Sequence, residues 1–320
     1  MTTISKQVNK MPARALVLLA TYNGREWVEE QIRSILSQVE VNLVQILIRD
    51  DFSSDGTVKY LEEVFGHDAR IRIIKSSKPS GFAGKNFVEL IKECDLKGVD
   101  YVALADQDDI WFPDKLIRAI KVLQTKNYQG YSSSVKAFWG GGRSKVLRQS
   151  SAPAQLDFIF EGGGQGCTFV IPSGEFEVVQ EFCRQKPTLV SKFYFHDWLI
   201  YLIIRVRGGS WFFDASPSML YRQHEFNDMG ARVGFSAVMK RLSLIYSGWY
   251  KKQINLSIKL SLVIQPSNIE IVEFLEAFKN STYTKLCYLI LINSRRRMLD
   301  RIVILIGVIF GWIVYEDEAP

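Results

Sequence analysis

The first 125 residues alternate short apolar runs with amphipathic segments. The runs are rich in aliphatic and β-branched residues, which is typical of strands that are covered on both faces. The predicted strands are Ala15–Ala20, Val44–Arg49, Ile71–Lys75 and Tyr101–Ala105. The predicted helices between and after them are Glu26–Gln38, Gly56–Phe65, Lys85–Cys94 and Pro113–Gln124. This order predicts an α/β fold in which a mostly parallel, Rossmann-like sheet is flanked by helices.

The pattern weakens after this part of the chain. From Lys126 to Gly166 serine, glycine and mixed residues predict loops with short strands at most. A regular pattern of apolar residues returns at Cys167–Ile171. The aromatic-rich segment Lys192–Arg205 predicts the start of a buried helix. A strand-and-turn pattern follows and ends at His224.

The composition changes near residue 230. From Met229 to Ile269 there is no acidic residue, and the basic residues are Arg232, Lys240, Arg241, Lys251, Lys252 and Lys259. We therefore predict two regions, residues 1–228 and a helical, basic and apolar region at 229–320. Segments Gly234–Lys252 and Asn255–Ile264 fit either an amphipathic helix on anionic lipid or a helical cap with a solvated basic face.

A cluster of arginines favours the membrane alternative. Arg295, Arg296, Arg297 and Arg301 precede the apolar run Ile302–Tyr315. Clustered basic residues gain about 1 kcal/mol each near anionic lipid. The run has 14 residues, fewer than the roughly 20 that span a bilayer, so we expect it to lie on a membrane or in a core.

Composition and charge narrow the function classes. Of the 320 residues 47% are hydrophobic and 23% charged, which excludes general disorder. The net charge of +6 suits membrane phosphates or an anionic ligand but is too small to indicate nucleic acid. The four cysteines are scattered without a CxxC pair, so neither a disulfide framework nor a zinc cluster is predicted, and a reducing compartment fits.

Candidate chemistry lies where the predicted strands end, because ligands of open α/β sheets bind at the carboxyl edge. Strand one is followed by Thr21, Tyr22 and Asn23, and strand two by Asp50 and Asp51. A carboxylate in this position can accept hydrogen bonds from a nucleobase and a ribose, which makes Asp51 a candidate nucleoside ligand. The alternative is ordinary turn chemistry.

Strand four is followed by the acidic sequence Asp106-Gln107-Asp108-Asp109. Such charge density favours a bound cation, and hard oxygen ligands suit Mg²⁺ or Mn²⁺ bridging to a diphosphate. The alternative is a solvated acidic turn that caps the next helix.

Three further segments offer candidate residues. Lys85 follows a glycine-containing loop without Walker spacing, and we expect it to contact an anionic ligand from a helix N-terminus. Asp197 lies among aromatic residues, where burial raises a carboxylate pKa and suits a general base; the alternative is a helix cap. Arg222 and His224 fit contacts to a diphosphate, and a neutral His224 also fits metal ligation.

Taken together, these motifs resemble the family 2 glycosyltransferases of the GT-A fold. The matching segments are LLATYNG, IRDDFSSDGT, ALADQDDIWFPDKL, GCTFVIP, FYFHDW and LYRQH. Within the family they are most similar to bacterial rhamnosyltransferase-like enzymes of surface-polysaccharide synthesis. The similarity covers about residues 13–230.

The resemblance implies roles for the candidate residues. Thr21, Tyr22 and Asp51 would surround the nucleoside with Asn23 nearby, and Asp106 would lie by the ribose. Asp108 would hold the divalent metal, with His224 as a second candidate ligand and Arg222 near the diphosphate.

The acceptor side follows from the same resemblance. Asp197 matches the general base of an inverting transfer, and its neighbours His196 and Trp198 are expected to contact substrate. Gly166, Cys167 and Thr168 match the segment beside the acceptor. Two departures are Lys78-Pro79-Ser80-Gly81, where relatives commonly have Asn before Gly-Phe, and the Gly162–Gly164 run, where relatives have bulkier residues.

The sequence therefore predicts an inverting, metal-dependent glycosyltransferase that moves a sugar, with rhamnose suggested, from a nucleotide-diphosphate donor to a lipid-linked glycan. The expected location is cytoplasmic, on the inner face of the bacterial plasma membrane. Two alternatives remain at this point: a metal-dependent nucleotidyltransferase or phosphohydrolase, and a non-catalytic, membrane-bound glycan-binding protein.

Overall fold

The computed structural model describes residues 11–149, 152–224, 243–279 and 283–314. The described part contains a nine-stranded sheet. The strands are β1 Arg14–Thr21, β2 Asn42–Asp50, β3 Ile71–Lys75, β4 Tyr101–Ala105, β5 Ile110–Trp111, β6 Gly130–Phe138, β7 Ser144–Leu147, β8 Val170–Pro172 and β9 Trp211–Arg222.

The described helices come between and after these strands. They are α1 Val28–Leu36, α2 Thr57–Phe65, α3 Ala83–Glu93, α4 Lys115–Lys126, α5 Asp157–Phe160, α6 Ser173–Gln185, α7 Pro187–Val190, α8 His196–Val206, α9 Trp249–Ile264, α10 Ile269–Lys279, α11 Tyr283–Asn293 and α12 Met298–Ile309. A short 3₁₀ turn spans Gly166–Thr168.

The first half of the sheet is the predicted βα array. The strand order is β3-β2-β1-β4-β8-β6-β9-β5, with β7 paired to β6. Strands β3, β2, β1 and β4 are parallel to one another, so their carboxyl ends meet at one edge. Antiparallel β8 then joins β4 to β6. This arrangement confirms the predicted α/β fold and the four βα units.

Both faces of the central strands are buried, as their composition requires. Along β1, Leu16 and Leu18 contribute to one hydrophobic cluster, whereas Val17 and Leu19 contribute to the other. This alternation follows from the two-residue period of a strand. The first cluster continues without a break into the C-terminal helices and includes Ile258.

The prediction of loops between Lys126 and Gly166 is wrong for β6. This strand has nine residues and pairs in parallel with β9. Its central residues Ser132, Ser133 and Ser134 are fully buried. Their hydroxyls bond to other buried groups, for example Ser133 to Ser218 at 2.6 Å, which compensates for the burial of polar atoms.

The C-terminal helices pack on the sheet domain, and this corrects two expectations about lipid. Most residues of Asn255–Ile264 are buried in α9, which agrees with the helical-cap alternative. Arg295 and Arg296 are nearly buried in ion pairs with Asp157 and Glu161, so their charges do not face a membrane.

The apolar run before the C-terminus is divided between core and surface. Ile304, Val308 and Ile313 are buried, whereas Ile302 and Phe310 are exposed. Among the described residues, no helix has both the length and the apolar character needed to cross a membrane. The predicted boundary at residues 228–229 and the first part of Gly234–Lys252, residues 234–242, lie outside the described residues.

Candidate active site

Gln107 connects the ends of β1 and β4. Its Oε1 accepts hydrogen bonds from Thr21 Oγ1 at 2.7 Å and from the Tyr22 backbone N–H at 2.8 Å. Its Nε2 donates to the Tyr22 carbonyl at 3.0 Å. Sequence reasoning missed this residue. Its position between two aspartates could have identified it, because an amide side chain carries both a donor and an acceptor for hydrogen bonds to a neighbouring loop.

Asn23 joins the loops after β1 and β2. Its Oδ1 accepts a hydrogen bond from Ser54 N at 2.9 Å, and its own N–H donates to Ser53 Oγ at 2.8 Å. The residue has φ of 48°, a left-handed conformation that asparagine tolerates. Asn23 therefore fixes the shape of the edge at which Tyr22 is exposed.

Asp51 is buried at the end of β2. Its carboxylate accepts hydrogen bonds from Ser80 N at 2.8 Å and from Ser80 Oγ at 2.7 Å, and Arg49 Nη1 lies 3.5 Å away. Ser80 belongs to the segment that departs from the family pattern. The departure therefore supplies a direct partner for the predicted nucleoside ligand.

Lys85 lies in the first turn of α3, with Nζ 4.9 Å from the centre of the Phe82 ring. It lines a cavity of about 720 Å³ together with Arg49, Lys78 and Lys92. This placement keeps a cation near the strand edge, as expected for contact with an anionic ligand.

Two of the three aspartates after β4 are buried and Asp106 is partly exposed, which disfavours the alternative of a solvated turn. Asp108 is 8% exposed and Asp109 is fully buried. Burial and the charge of Asp108 raise the pKa of Asp106 to about 7, and the same two causes raise the pKa of Asp109. A cluster of this kind is stabilised when a cation neutralises it.

Lys115 supplies one such cation from α4. It is fully buried, its Nζ donates to the Cys167 carbonyl at 2.5 Å, and it lies 3.8 Å from the Trp111 ring centre. Burial lowers its pKa to about 8, against the opposing charges of Cys167, Asp109 and Asp106. Sequence reasoning did not identify Lys115, because nothing in its local pattern distinguishes it from a helix-surface lysine.

The predicted metal ligands Asp108 and His224 contact each other. Asp108 Oδ2 and His224 Nε2 are 2.6 Å apart, and the imidazole stacks on Trp27 with ring centres 4.2 Å apart. Arg222 donates from Nε to the Asp108 carbonyl at 2.9 Å and from Nη2 to Glu30 at 2.5 Å. Residues from the end of β9 therefore brace the acidic turn.

The donor set fits a hard divalent cation in part. Ligand atoms of Asp106, Asp109 and Cys167 lie within 4.8 Å of one another, and Asp109 Oδ2 is buried with no hydrogen-bond partner among the described residues. Burial raises the pKa of the Cys167 thiol, which leaves the carboxylates as the ligands that suit Mg²⁺ or Mn²⁺. His224 Nε2 is already engaged with Asp108 and fits the role of a supporting partner.

Asp197 lies inside the first turn of α8, which begins at His196 after the cap residue Phe195. It is therefore not the helix cap. Burial raises the pKa of its carboxyl to about 6, although hydrogen bonds from the Trp198 and Gly166 backbones oppose the shift. A carboxylate with such a pKa is suited to accept a proton near neutral pH.

The neighbours of Asp197 differ in their surroundings. The His196 ring stacks on Phe87 with ring centres 3.8 Å apart, and burial lowers its pKa to about 3, so the imidazole is neutral. Its Nε2 is buried with no hydrogen-bond partner among the described residues. Trp198 is 4% exposed and donates from Nε1 to the Phe158 carbonyl at 2.7 Å, which places it in the core behind the site.

The predicted acceptor segment packs directly against Asp197. A Cβ added at Gly166 would lie 2.4 Å from His196 Nε2 and 3.2 Å from Asp197 Cβ, so the close approach requires glycine. Cys167 and Thr168 are buried, and Thr168 Oγ1 donates to the Gln165 carbonyl at 2.7 Å. Their side chains therefore support the wall, and their predicted contact with acceptor stays a prediction.

Comparison with known sequences agrees with this geometry. The family model for glycosyl transferase family 2 matches residues 16–182, just over half of the chain. A dTDP-rhamnosyl transferase of Shigella flexneri, RfbG, is 41% identical over 237 residues, which are 74% of this chain and 82% of the relative. The glucosyltransferase WfaP of Escherichia coli, which uses UDP-Glc and an α-D-GlcNAc-diphosphoundecaprenol acceptor, is 32% identical over 37% of this chain and 44% of its own length.

A solved structure shares the fold at low sequence identity. Staphylococcus aureus TarS, residues 1–349 in complex with UDP, superposes with a TM-score of 0.51 and 15% identity. The match covers 86% of this chain and 75% of the TarS fragment.

Proposed function

We propose that this chain, which belongs to glycosyl transferase family 2 and is a glycosyltransferase with the GT-A fold, transfers L-rhamnose from a dTDP-linked donor to a lipid-linked glycan. The transfer would proceed with inversion at the anomeric carbon. It would serve bacterial surface-polysaccharide synthesis, such as that of O-antigen or capsule. The observation that carries the reaction type is the partly exposed carboxyl of Asp197, with a pKa raised to about 6, near the acidic end of β4.

The donor assignment rests on similarity and on the strand edge. The Shigella relative, which aligns over 74% of this chain, is named for a dTDP-rhamnosyl donor. Exposed Tyr22 and buried Asp51 lie at the carboxyl edge, where a nucleoside binds in this type of sheet. Arg222, held by Asp108 and Glu30, provides a cation for the diphosphate beside them.

Each group at the site has a stated chemical task. Asp197 would take the proton from an acceptor hydroxyl that attacks the anomeric carbon, and a single displacement assisted by one base inverts that carbon. Asp106, Asp108 and Asp109 would hold the divalent cation. When bound, such a cation supplies Lewis-acid stabilisation of the charge on the leaving diphosphate.

A lipid-linked acceptor is supported by the acceptor for which the Escherichia coli relative is named, α-D-GlcNAc-diphosphoundecaprenol. It also agrees with an exposed apolar face on α12 and its C-cap residue Phe310. The exposed residues are Leu299, Ile302, Ile306, Ile309 and Phe310. Their spacing of three, four, three and one places them on one side of the helix. We assign this face to the inner leaflet of the plasma membrane, which the protein approaches from the cytoplasm.

The base assignment is tested by Asp197→Asn, which removes the carboxylate and keeps its shape. With dTDP-L-rhamnose and a synthetic N-acetylglucosamine diphospholipid as probes, transfer is expected to fall by at least about 1,000-fold, as expected for loss of a general base. Binding of dTDP, measured by calorimetry, should be unchanged. Turnover close to that of the unaltered chain would remove Asp197 from the mechanism. The anomeric configuration of the product, read by NMR, tests inversion separately.

The membrane assignment is tested by flotation with vesicles that contain phosphatidylglycerol. Leu299→Glu combined with Phe310→Glu should leave the protein in the dense fraction. Val39→Glu, an exposed apolar residue of the sheet domain, is the matched control and should float like the unaltered chain. Equal flotation of the double variant and the control would contradict docking through α12.

A further inference from the structure

The junction between α11 and α12 carries an arginine that is nearly buried against the sheet domain. Arg296 Nη1 donates to Asp157 Oδ2 at 3.0 Å, and Nη2 donates to the Gly162 carbonyl at 2.7 Å. Its backbone N–H donates to Glu161 Oε1 at 2.7 Å, and Arg295 Nη2 donates to Glu161 Oε2 at 3.2 Å. The exposed fraction of the Arg296 side chain is 6%.

The carboxylate of Asp157 is also bound by α8, the helix that carries Asp197. Asp157 is fully buried and accepts hydrogen bonds from Tyr201 Oη at 2.9 and 3.0 Å and from Arg205 Nη1 at 3.3 Å. Both partners lie on α8. Asp157 thus joins α8 to the α11–α12 junction, over 139 residues of sequence between Asp157 and Arg296.

The segment that Arg296 contacts lies against the start of α8. A Cβ on Gly162 would lie 3.2 Å from the backbone N and Cα of Trp198, and one on Gly166 would lie 3.2 Å from Asp197 Cβ. The Gly163 carbonyl accepts a hydrogen bond from Ser132 Oγ at 2.6 Å, which anchors the middle of the segment to β6. The glycine segment, residues 161–166, is therefore held on one side by Arg296 and forms the wall of Asp197 on the other.

We propose that Arg296, supported by Arg295, is a positioning residue for the transfer reaction, because it holds the glycine segment against the first turn of α8 and so fixes Asp197. The proposal rests on the assignment of Asp197 as the base. It makes the C-terminal helices part of the catalytic geometry, although they contribute no group to the reacting atoms.

The proposal predicts different effects of an Arg296 substitution on kcat and on the KM for donor. The proposed nucleoside site at the carboxyl ends of β1, β2 and β4, here called the nucleoside edge, is held by the Thr21–Gln107 and Asn23–Ser53 hydrogen bonds. Neither of these involves Arg296. A change at Arg296 should therefore act on the rate at saturating substrates and leave the KM for donor nearly constant.

The experiment compares Arg296→Gln with Arg297→Gln. Arg297 is the next residue, is exposed, and its side chain donates to the Arg148 carbonyl at 2.9 Å, so it is a matched control. With the same two probes, dTDP-L-rhamnose and the diphospholipid, Arg296→Gln should lower kcat at least tenfold and change the donor KM less than twofold. Arg297→Gln should match the unaltered chain, and Arg296→Lys should recover part of kcat.

Further measurements distinguish a positioning role of Arg296 from a general effect on folding. Melting temperature and the folded fraction are measured for every variant, and kcat is expressed per folded molecule. Hydrogen exchange at residues 161–168 should accelerate in Arg296→Gln, with exchange in β1 unchanged. If Arg296→Gln does not fold, Glu161→Gln serves as the second variant, because it removes one charge and keeps the side-chain shape.

Two outcomes identify which idea fails. A kcat per folded molecule that is equal in Arg296→Gln and Arg297→Gln, while Asp197→Asn is inactive, overturns the positioning role alone. Transfer that persists in Asp197→Asn overturns the base assignment on which the proposal depends.

Discussion

The nucleoside edge and the wall around Asp197 are built in different ways. At the nucleoside edge, Thr21 ends β1, Asp51 and Asp106 directly follow β2 and β4, and the loops bond to each other. The wall around Asp197 combines α8, the glycine segment and arginines from the C-terminal helices. The first region is a product of local chain pattern, and the second depends on partners that are distant in sequence.

Because of this difference, we expect the geometry of the two regions to respond differently to substitutions elsewhere in the chain. Strand ends are fixed by backbone pairing, so the nucleoside edge keeps its geometry when a distant helix moves. The environment of Asp197 has no such protection, because its wall contains four glycines and is held by side-chain ion pairs. Variants of the two regions should therefore separate donor binding from turnover.

After the loss of transfer expected for Asp197→Asn, the largest effect is expected at the acidic end of β4. Asp108→Ala removes a carboxylate beside the diphosphate position and should lower transfer by at least about 100-fold, the scale of losing one electrostatic contact to a transition state. In thermal melting with Mn²⁺, the stabilisation by dTDP should also disappear. Asp114→Ala, at the exposed start of α4, is the control and should keep both properties. Retained metal-dependent stabilisation by dTDP in Asp108→Ala would contradict a role at the donor.

Lys115 joins the two regions, because it bonds to the Cys167 carbonyl beneath the acidic turn. Lys115→Met should reduce the free energy of unfolding by about 2–3 kcal/mol, since it leaves buried carboxyls and a carbonyl without their cation. Lys121→Met on the same helix removes a lysine paired at the surface with Glu40 and should cost under about 1 kcal/mol. Urea unfolding measures both. Equal midpoints would show that Lys115 does not stabilise this junction.

The raised pKa of Asp197 makes stability depend on pH. The folded state holds this carboxyl with a pKa of about 6, above its ordinary 3.8, so the free energy of unfolding falls as the pH rises from about 3.8 to about 6 and stays lowered above that. Asp197→Asn should therefore be more stable than the unaltered chain by about 3 kcal/mol at pH 8, and the difference should vanish below about pH 3. Melting curves across this range test the sign. A difference that grows as the pH falls would contradict the raised pKa.

The smallest effect is expected at the glycine segment. Gly166→Ala forces His196 away from its present place and should lower kcat by about tenfold, or about 1.4 kcal/mol, with dTDP binding unchanged. Gly174→Ala has open space around the added Cβ and is the matched control. Loss of dTDP affinity in Gly166→Ala, instead of kcat, would show that the two regions are not separable in this way.

Prediction from sequence was successful where local pattern and structure coincide. The strands Ile71–Lys75 and Tyr101–Ala105 begin and end as predicted, because their apolar runs are bounded by polar turns. The candidate residues at the carboxyl edge followed from the same rule. Gln107 was not predicted, because its role depends on two hydrogen bonds to the backbone of Tyr22, which lies 85 residues earlier in the chain.

The errors share one physical cause, which is that a polar residue does not show its partner in the sequence. Ser132, Ser133 and Ser134 have the composition of a loop, yet they form the centre of a buried strand. Arg295 and Arg296 have the composition of a lipid-binding cluster, yet their partners are carboxylates more than 130 residues earlier in the chain. Buried polar groups require partners, and only the fold reveals them.

The ion pairs of Arg296 also bear on how such enzymes can be recombined. A chimera that takes its C-terminal helices from another family member would leave Asp157 and Glu161 buried beside foreign side chains. Exchange of acceptor preference between relatives should therefore succeed when residues 157–166 and the α11–α12 junction are moved as one unit, and fail when the cut is placed between them.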